Sequence, residues 1–237
     1  FVEFSRGGAP AKRIEEVMRL PRELLPELCE GDGSGAFIRF ENVAFSYGGA
    51  PALKNIDFSV KKGETLGVIG GTGSGKSTLV GLLMRLYDPD AGAVYVGGRN
   101  VKSYPKEELN RKFGAVFQND FLMAASVRGN IDFERGLSDE QIARAAEYAQ
   151  ASGFIGEHGG MDAELTARGS NFSGGQKQRL LIARALAASP EILVLDDSSS
   201  ALDYKTDARL RKTLFENMPE TTVVLIAQRI SSVRFAD

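Results

Sequence analysis

The sequence of 237 residues is 43% hydrophobic and 25% charged, with a formal net charge of −2, a balance that suits a folded globular chain and excludes disorder, collagen-like repetition and a phosphate-neutralising basic surface. The only cysteine, Cys29, and the only histidine, His158, exclude an internal disulfide framework and a Cys/His zinc cage. Glycine is in surplus, 27 residues against 8 prolines, and one use for the excess is backbone that turns sharply or lies close against a ligand.

Residues 9–20 begin with a helical pattern in which Ile14, Val17, Met18 and Leu20 share a face while Lys12, Arg13, Glu15 and Glu16 face water. Pro21 and Pro26 interrupt it, and Gly31-Asp32-Gly33-Ser34-Gly35 reads as a linker, so a folded domain is expected from about Ala36. Strands are predicted at 37–40, 43–45, 56–60 and 65–69. The pattern then changes to strands alternating with helices: helix 77–86, strand 93–96, helix 105–111, strand 113–117, helix 138–151, helix 176–188, strand 191–195, helix 204–217 and strand 222–227. That alternation predicts an α/β sheet joined to a β-rich N-terminal portion, with a helical insertion around 120–170. Ser138 is a fitting N-cap, with Asp139 and Glu140 at the positive end of the helix dipole. No run reaches the roughly 18 apolar residues that cross a bilayer, and no signal peptide is apparent. The chain opens at Phe1 without an initiator methionine and stops at Asp237 without an obvious cap, which predicts a piece of something longer.

The decisive run follows the strand 65–69. Gly70-Gly71-Thr72-Gly73-Ser74-Gly75-Lys76-Ser77-Thr78 fits G-x-x-x-x-G-K-[ST] and leads straight into the periodic helix Leu79, Leu82, Leu83, Leu86. Glycines let backbone N–H groups curl round an anion, Lys76 reaches the β- and γ-phosphates, and Ser77 is suited to hold Mg²⁺ beside them. A glycine turn alone would account for Gly but not for Gly-Lys-Ser at that spacing between strand and helix. A second phosphate-site element is predicted as an apolar strand ending in a carboxylate, and Ile192-Leu193-Val194-Leu195-Asp196 supplies it, with Asp196 placed for the Mg²⁺ shell.

On Phe172-Ser173-Gly174-Gly175-Gln176 and the following Lys177-Gln178-Arg179, the chain resembles the nucleotide-binding domains of ABC transporters over nearly its whole length, this run being similar to the family's signature. Gln118 in Ala115-Val116-Phe117-Gln118 resembles the Q-loop, Ser200-Ala201-Leu202-Asp203 the D-loop, and Tyr47 in Phe45-Ser46-Tyr47-Gly48 the adenine-stacking aromatic. The resemblance implies an α/β P-loop NTPase fold with a RecA-like core, an N-terminal antiparallel β subdomain and a helical signature subdomain at about 120–180. It implies ATP and Mg²⁺, bound through Tyr47, Gly71, Thr72, Gly73, Ser74, Gly75, Lys76, Ser77, Thr78 and Gln118, with Ser77, Gln118 and Asp196 on the metal. Two such domains would face head to tail, Ser173, Gly174, Gly175 and Gln176 of one completing the site of the other. The helix predicted after the signature supports this, because its N-terminus is a second anion site that one chain has no need of. Residues 1–35 are then similar to the end of a membrane-domain helix and its linker in exporters, and 36–237 to an ABC ATPase domain that lacks its last strands. The Tyr87-Asp88-Pro89 turn and Arg128-Gly129-Asn130-Ile131 after the Q-loop point the same way.

Three positions depart from the family's pattern. Where Glu usually follows the Walker B aspartate stands Asp197, and where the switch histidine stands in Leu225-Ile226-Ala227-Gln228-Arg229-Ile230 there is Gln228. Ala167, in Leu165–Asn171 ahead of the signature, stands where exporters usually carry Glu in a loop that senses the membrane domain. Asp197 is one C–C bond shorter than Glu, and Gln228 is neutral and cannot shuttle a proton. His158, in Glu157-His158-Gly159-Gly160, is expected as a solvated loop residue. With every ATP-binding motif retained, the pattern is similar to the degenerate member of a heterodimeric exporter at the cytoplasmic face of a membrane, with transmembrane domains and a non-identical ATPase chain as partners and no nucleic acid. The alternatives are a soluble ABC-type ATPase of DNA maintenance or translation, which the absence of a heptad run and the charge of −2 disfavour, and an ATP-gated regulatory subunit.

Overall fold

The computed structural model describes residues 12–15, 18, 24–197, 201–228, 233–234 and 236–237. Of the amphipathic pattern at 9–20, residues 12–15 are helical; Val17, Leu20 and Pro21 lie outside the described residues, as do Ser200, Arg229 and Ile230. Two four-stranded sheets carry the fold. The first is antiparallel, in the order β2-β1-β4-β5, from β1 (Ile38–Ser46), β2 (Pro51–Val60), β4 (Ala91–Val96) and β5 (Arg99–Asn100). The second is parallel, in the order β3-β8-β7-β6, from β3 (Thr65–Ile69), β6 (Phe113–Val116), β7 (Ile192–Asp196) and β8 (Thr222–Ala227). The α/β class with a separate antiparallel portion is thus the one observed, with one correction: 93–96, expected among the alternating strands, pairs with β1 and belongs to the antiparallel sheet.

Seven α-helices connect and cover these sheets among the described residues: α1 (Lys76–Leu83), α2 (Lys106–Arg111), α3 (Val127–Asp132), α4 (Asp139–Tyr148), α5 (Ser152–Glu157), α6 (Gly174–Leu186) and α7 (Tyr204–Asn217). Side chains alternate along a strand, and β7, buried at all five positions, divides two cores accordingly. Ile192 and Val194 pack with α1 and the antiparallel sheet. Leu193 and Leu195 pack with Ile142, Leu180, Ile182 and Leu210 of the remaining helices. A parallel strand buried on both faces reads as a continuous apolar run, as Ile192–Leu195 does.

Helix ends differ from expectation for local reasons. α1 stops at Leu83 instead of Leu86 because Arg85 takes a left-handed φ of 52° and the Leu86 N–H turns back to the Gly81 carbonyl. The single helix expected at 138–151 is two, broken at Gln150, φ 58°, with α5 following; alanines at 145, 146, 149 and 151 carry a helical periodicity straight through the break. Ser138 does cap α4, in a reciprocal capping box with Gln141. α6 begins at Gly174, two residues before its expected start, because Ser173 is its N-cap in a second capping box with Gln176. Residues 24–35 contain no helix or strand, yet the Glu27 N–H donates to the Lys102 carbonyl and the Asp32 N–H to the Gly98 carbonyl, each at 2.8 Å.

Candidate nucleotide site

In a parallel sheet the loops after the strands gather at one edge, and ligands bind there. Four of these loops carry the predicted residues: Gly70 follows β3, Gln228 follows β8, Asp197 follows β7 and Phe117-Gln118 follows β6. The pairings Ile69–Ala227, Asp196–Ile226 and Val116–Leu195 fix the four ends in register.

Gly71–Ser74 are exposed, and Gly75 introduces α1 in the left-handed region at φ 88°. A side chain at Gly75 would strike the Ala52 carbonyl and Leu53, each at 2.8 Å, so sterics and backbone conformation both require glycine. No side chain caps α1, which leaves its N-terminal N–H groups and dipole for an anion. Lys76 Nζ donates to the Gly70 and Gly71 carbonyls, at 2.8 and 2.7 Å, across the mouth of this loop. Its partners are neutral oxygens, weaker acceptors than a phosphate.

Ser77 Oγ donates to Asp196 Oδ2 at 3.0 Å, joining the start of α1 to the end of β7. Asp196 is only 6% exposed, and burial above all pushes its carboxyl up from the ordinary range, with Asp197 adding to the rise and the Ser77 hydrogen bond and Lys76 opposing it. Among the described residues no three or more His, Cys, Asp or Glu side chains converge on a cation. The Ser77–Asp196 pair therefore fits Mg²⁺ shared with phosphate oxygens, which takes one or two protein oxygens, and does not fit an all-protein cation cage. Gln118 is exposed on the turn after β6, a turn that Asp120 closes by accepting from the Phe117 N–H at 2.8 Å.

Asp197 sits at φ 50°, with its N–H donating to the Ile226 carbonyl at 2.9 Å, and Gln228 Nε2 donates to Asp197 Oδ2 at 3.4 Å. Two of the three departures, Asp197 and Gln228, are thus neighbours facing the same edge. Tyr47, 61% exposed, reaches α1 through its hydroxyl, 3.2 Å from Thr78 Oγ1.

Ser173, Gly174, Gly175 and Gln176 do not join this group. They form the start of α6, whose apolar residues pack in the core on the opposite face of the parallel sheet from α1. Gly175 lies against the Ala201 carbonyl, 3.1 Å from where its Cβ would stand, so the signature abuts the loop leading to α7; Asp203 caps that helix by accepting from the Thr206 N–H. Ala167 is exposed in a short 3₁₀ turn whose next residue, Arg168, has φ 56°. His158 is exposed, as expected, but it closes α5 and its ring stacks on Phe172 at 4.6 Å.

Sequence reasoning missed Arg184. From α6 its guanidinium donates to the carbonyls of Phe121 and Asn130 and to Asn130 Oδ1, tying the segment after Gln118 to the signature helix. The Asn130 side chain in turn binds four backbone groups between Met123 and Ser126. An arginine at a polar-looking helix position carries no signal of this in the sequence. A groove of about 720 Å³ between α7 and the parallel sheet, lined by Leu195, Leu210, Leu214 and Leu225 among others, contains none of the phosphate-loop residues.

Comparison with known proteins places these features in a wider set. A family model described as ABC transporter matches residues 53–200. Similar curated proteins include the β-(1→2)glucan export ATP-binding/permease protein NdvA of Rhizobium etli, 41% identical over 84% of this chain and 35% of its own length. The leukotoxin translocation ATP-binding protein LktB of Mannheimia glucosida is 38% identical over 99% of this chain and 34% of its own. The chain thus spans little more than a third of the length of these relatives. Among solved structures, a bacterial Atm1-family ABC exporter with ATP bound superposes with a TM-score of 0.82 at 32% identity, over 92% of this chain and 38% of that one.

Proposed function

The chain belongs to the ABC transporter family, and from that premise we propose that it is the ATPase domain of an exporter, binding ATP with Mg²⁺ and working in a head-to-tail pair at the cytoplasmic face of a membrane. The relatives named for glucan export and leukotoxin translocation support the exporter reading over a soluble ABC-type ATPase. Among the described residues no helix is long and apolar enough to cross a membrane, so the transmembrane work is assigned to other segments or chains.

The observation that carries the proposal is that two glycine-bearing helix starts belong to helices on opposite faces of one sheet, the uncapped α1 behind the glycine loop and α6 behind its cap Ser173. A single nucleotide cannot use both within one chain. Two chains facing head to tail use both, each ATP lying between the Lys76 loop of one and the Ser173 start of the other. In this arrangement Lys76 and the α1 N–H groups neutralise the phosphates, and Ser77 and Asp196, with Gln118, hold Mg²⁺, which supplies charge neutralisation at the γ-phosphate. Asp197 stands at the position of the base that takes the proton from the attacking water.

The finer reading is asymmetric. Asp197 and Gln228 leave this chain's own loop able to hold ATP but poor at cleaving it, while its intact signature completes the competent site of a non-identical partner that carries Glu and His at those positions. An ATP-gated regulatory subunit is the same behaviour without the partner's turnover.

The shared site is testable through Ser173→Glu, which sets a carboxylate where the partner's γ-phosphate would lie. ATP-induced dimerisation, read by sedimentation, is expected to be lost, with the monomer's ATP affinity unchanged within about twofold, since the altered start of α6 is remote from the chain's own phosphate loop. Equal loss of monomer affinity would show that both anion sites serve one nucleotide, and retained dimerisation would remove Ser173 from the interface.

A further inference from the structure

The aromatic Tyr47 is not alone. Its ring meets Phe45 edge to face at 4.9 Å and 87°, and Tyr87 edge to face at 5.4 Å and 89°. Tyr87 also tilts against Phe45 at 5.5 Å. Edge-to-face contact is the favoured geometry between aromatic rings. Held on two sides and by its hydroxyl at Thr78, the Tyr47 ring has few rotations left.

Tyr87 is put there by a chain reversal. Arg85, at φ 52°, ends α1, and its guanidinium fixes the turn by donating to Asp88 Oδ1 at 3.1 Å and to the carbonyls of Lys102 and Leu25 at 2.8 Å. Three residues after Tyr87, Asp90 Oδ2 accepts from both the N–H and the hydroxyl of Ser46, and the Asp90 N–H donates to the Ala44 carbonyl. The turn is therefore pinned to the strand end that carries Tyr47. A buried glycine inside α1, Gly81, makes the room: a Cβ there would stand 3.3 Å from two carbon atoms of the Tyr87 ring. Glycine is a poor choice for a helix interior on propensity alone, and a seat for that ring accounts for it.

We propose that Tyr87 is a positioning residue for base recognition, holding the Tyr47 ring in the orientation in which it stacks on adenine. The inference rests on the reading of Tyr47 as the base platform. Tyr87 lies against the rings of Tyr47 and Phe45 and beside Gly81 of α1, so its effect is expected on the base and not on the triphosphate.

The test compares affinity for ATP with affinity for inorganic tripolyphosphate, both with Mg²⁺, in the purified chain and four variants. Tyr87→Ala is expected to weaken ATP by about three- to tenfold, the value of one such ring pair, and to leave tripolyphosphate unchanged. Tyr87→Phe keeps the ring and is expected to bind ATP as the parent does. Gly81→Ala guards against a Tyr87→Ala variant that misfolds: it improves helix propensity and displaces the ring, so ATP affinity falls while thermal stability does not fall in proportion. Tyr47→Ala separates the two readings. If it leaves ATP affinity intact, the base platform itself is wrong and the proposal falls with it. If Tyr47→Ala weakens ATP and neither Tyr87→Ala nor Gly81→Ala does, or if they weaken both ligands equally, only the positioning role is overturned.

Discussion

Replacing Asp197 by Glu together with Gln228 by His will raise the rate of ATP cleavage at this chain's own loop by about 10²–10⁴-fold, the usual worth of general acid–base assistance. The backbone at Asp197 is fixed: its N–H extends the β-ladder to the Ile226 carbonyl, and its φ of 50° turns the chain out of the sheet. The carboxylate of Asp therefore stops about one C–C bond, roughly 1.5 Å, short of where that of Glu would lie, and a base must come within about 2.6–3.2 Å of the proton it takes. Gln228, adjacent through its 3.4 Å hydrogen bond to Asp197, is able to donate a hydrogen bond but cannot accept and release a proton near neutral pH as His can. Single-turnover kinetics with the nucleotide bound at saturation isolates this step from binding. An unchanged rate would mean that the two residues do not limit cleavage and that the geometry has been misread.

Asp196→Asn, made in that restored background, will have two effects of opposite sign. Cleavage will fall by about 10³-fold, since metal stabilisation of developing charge is worth several kcal/mol at 1.36 kcal/mol per decade, and addition of Mg²⁺ will no longer tighten ATP. The nucleotide-free fold will become more stable at neutral pH. The sign follows from burial, the largest cause of the rise in the Asp196 pKa above its ordinary value. Across the window between the ordinary and the raised value the folded state keeps a proton that the unfolded chain has released, so stability declines with rising pH and the loss persists at neutrality. Asparagine keeps the acceptor for Ser77 without the buried charge. Each kcal/mol relieved raises Tm by roughly 2–4 °C in a chain of this size, and the gain should vanish at pH values below the ordinary carboxylate range. A fall in Tm at neutral pH would show that the ionised form is satisfied where it stands.

Most of the candidate nucleotide site was legible because its residues are neighbours in sequence. Gly75, Lys76 and Ser77 are consecutive, the helix that follows is periodic, and an apolar run ending in Asp196 is a buried parallel strand with a carboxylate at its edge. Ser173 and Gln176 form a capping box in the structure, and the two glycines between them, poor helix formers, put the expected start of α6 two residues late. Contacts made across the fold were harder to read. The strand around Val94 alternates like any other, and only pairing with β1 assigns it to the antiparallel sheet. The break at Gln150 is hidden among alanines, which suit a helix on either side of it. Arg184 and Tyr87 look like surface residues in sequence, and their roles come from carbonyl oxygens and aromatic rings dozens of residues away. Gly81 did carry a signal, a glycine within a strong helix pattern, whose meaning depended on a ring six positions later.

The central claim is that this chain's loop retains ATP while the site completed by its signature turns over. The most direct measurement uses photoreactive ATP labelled at the γ-phosphate, allowed to turn over on the assembled transporter and then cross-linked to whichever chain's loop holds it. The account predicts that label remains on this chain, beside Asp197 and Gln228, after the partner's label has been released as phosphate. Loss of label from both chains at the same rate would contradict it.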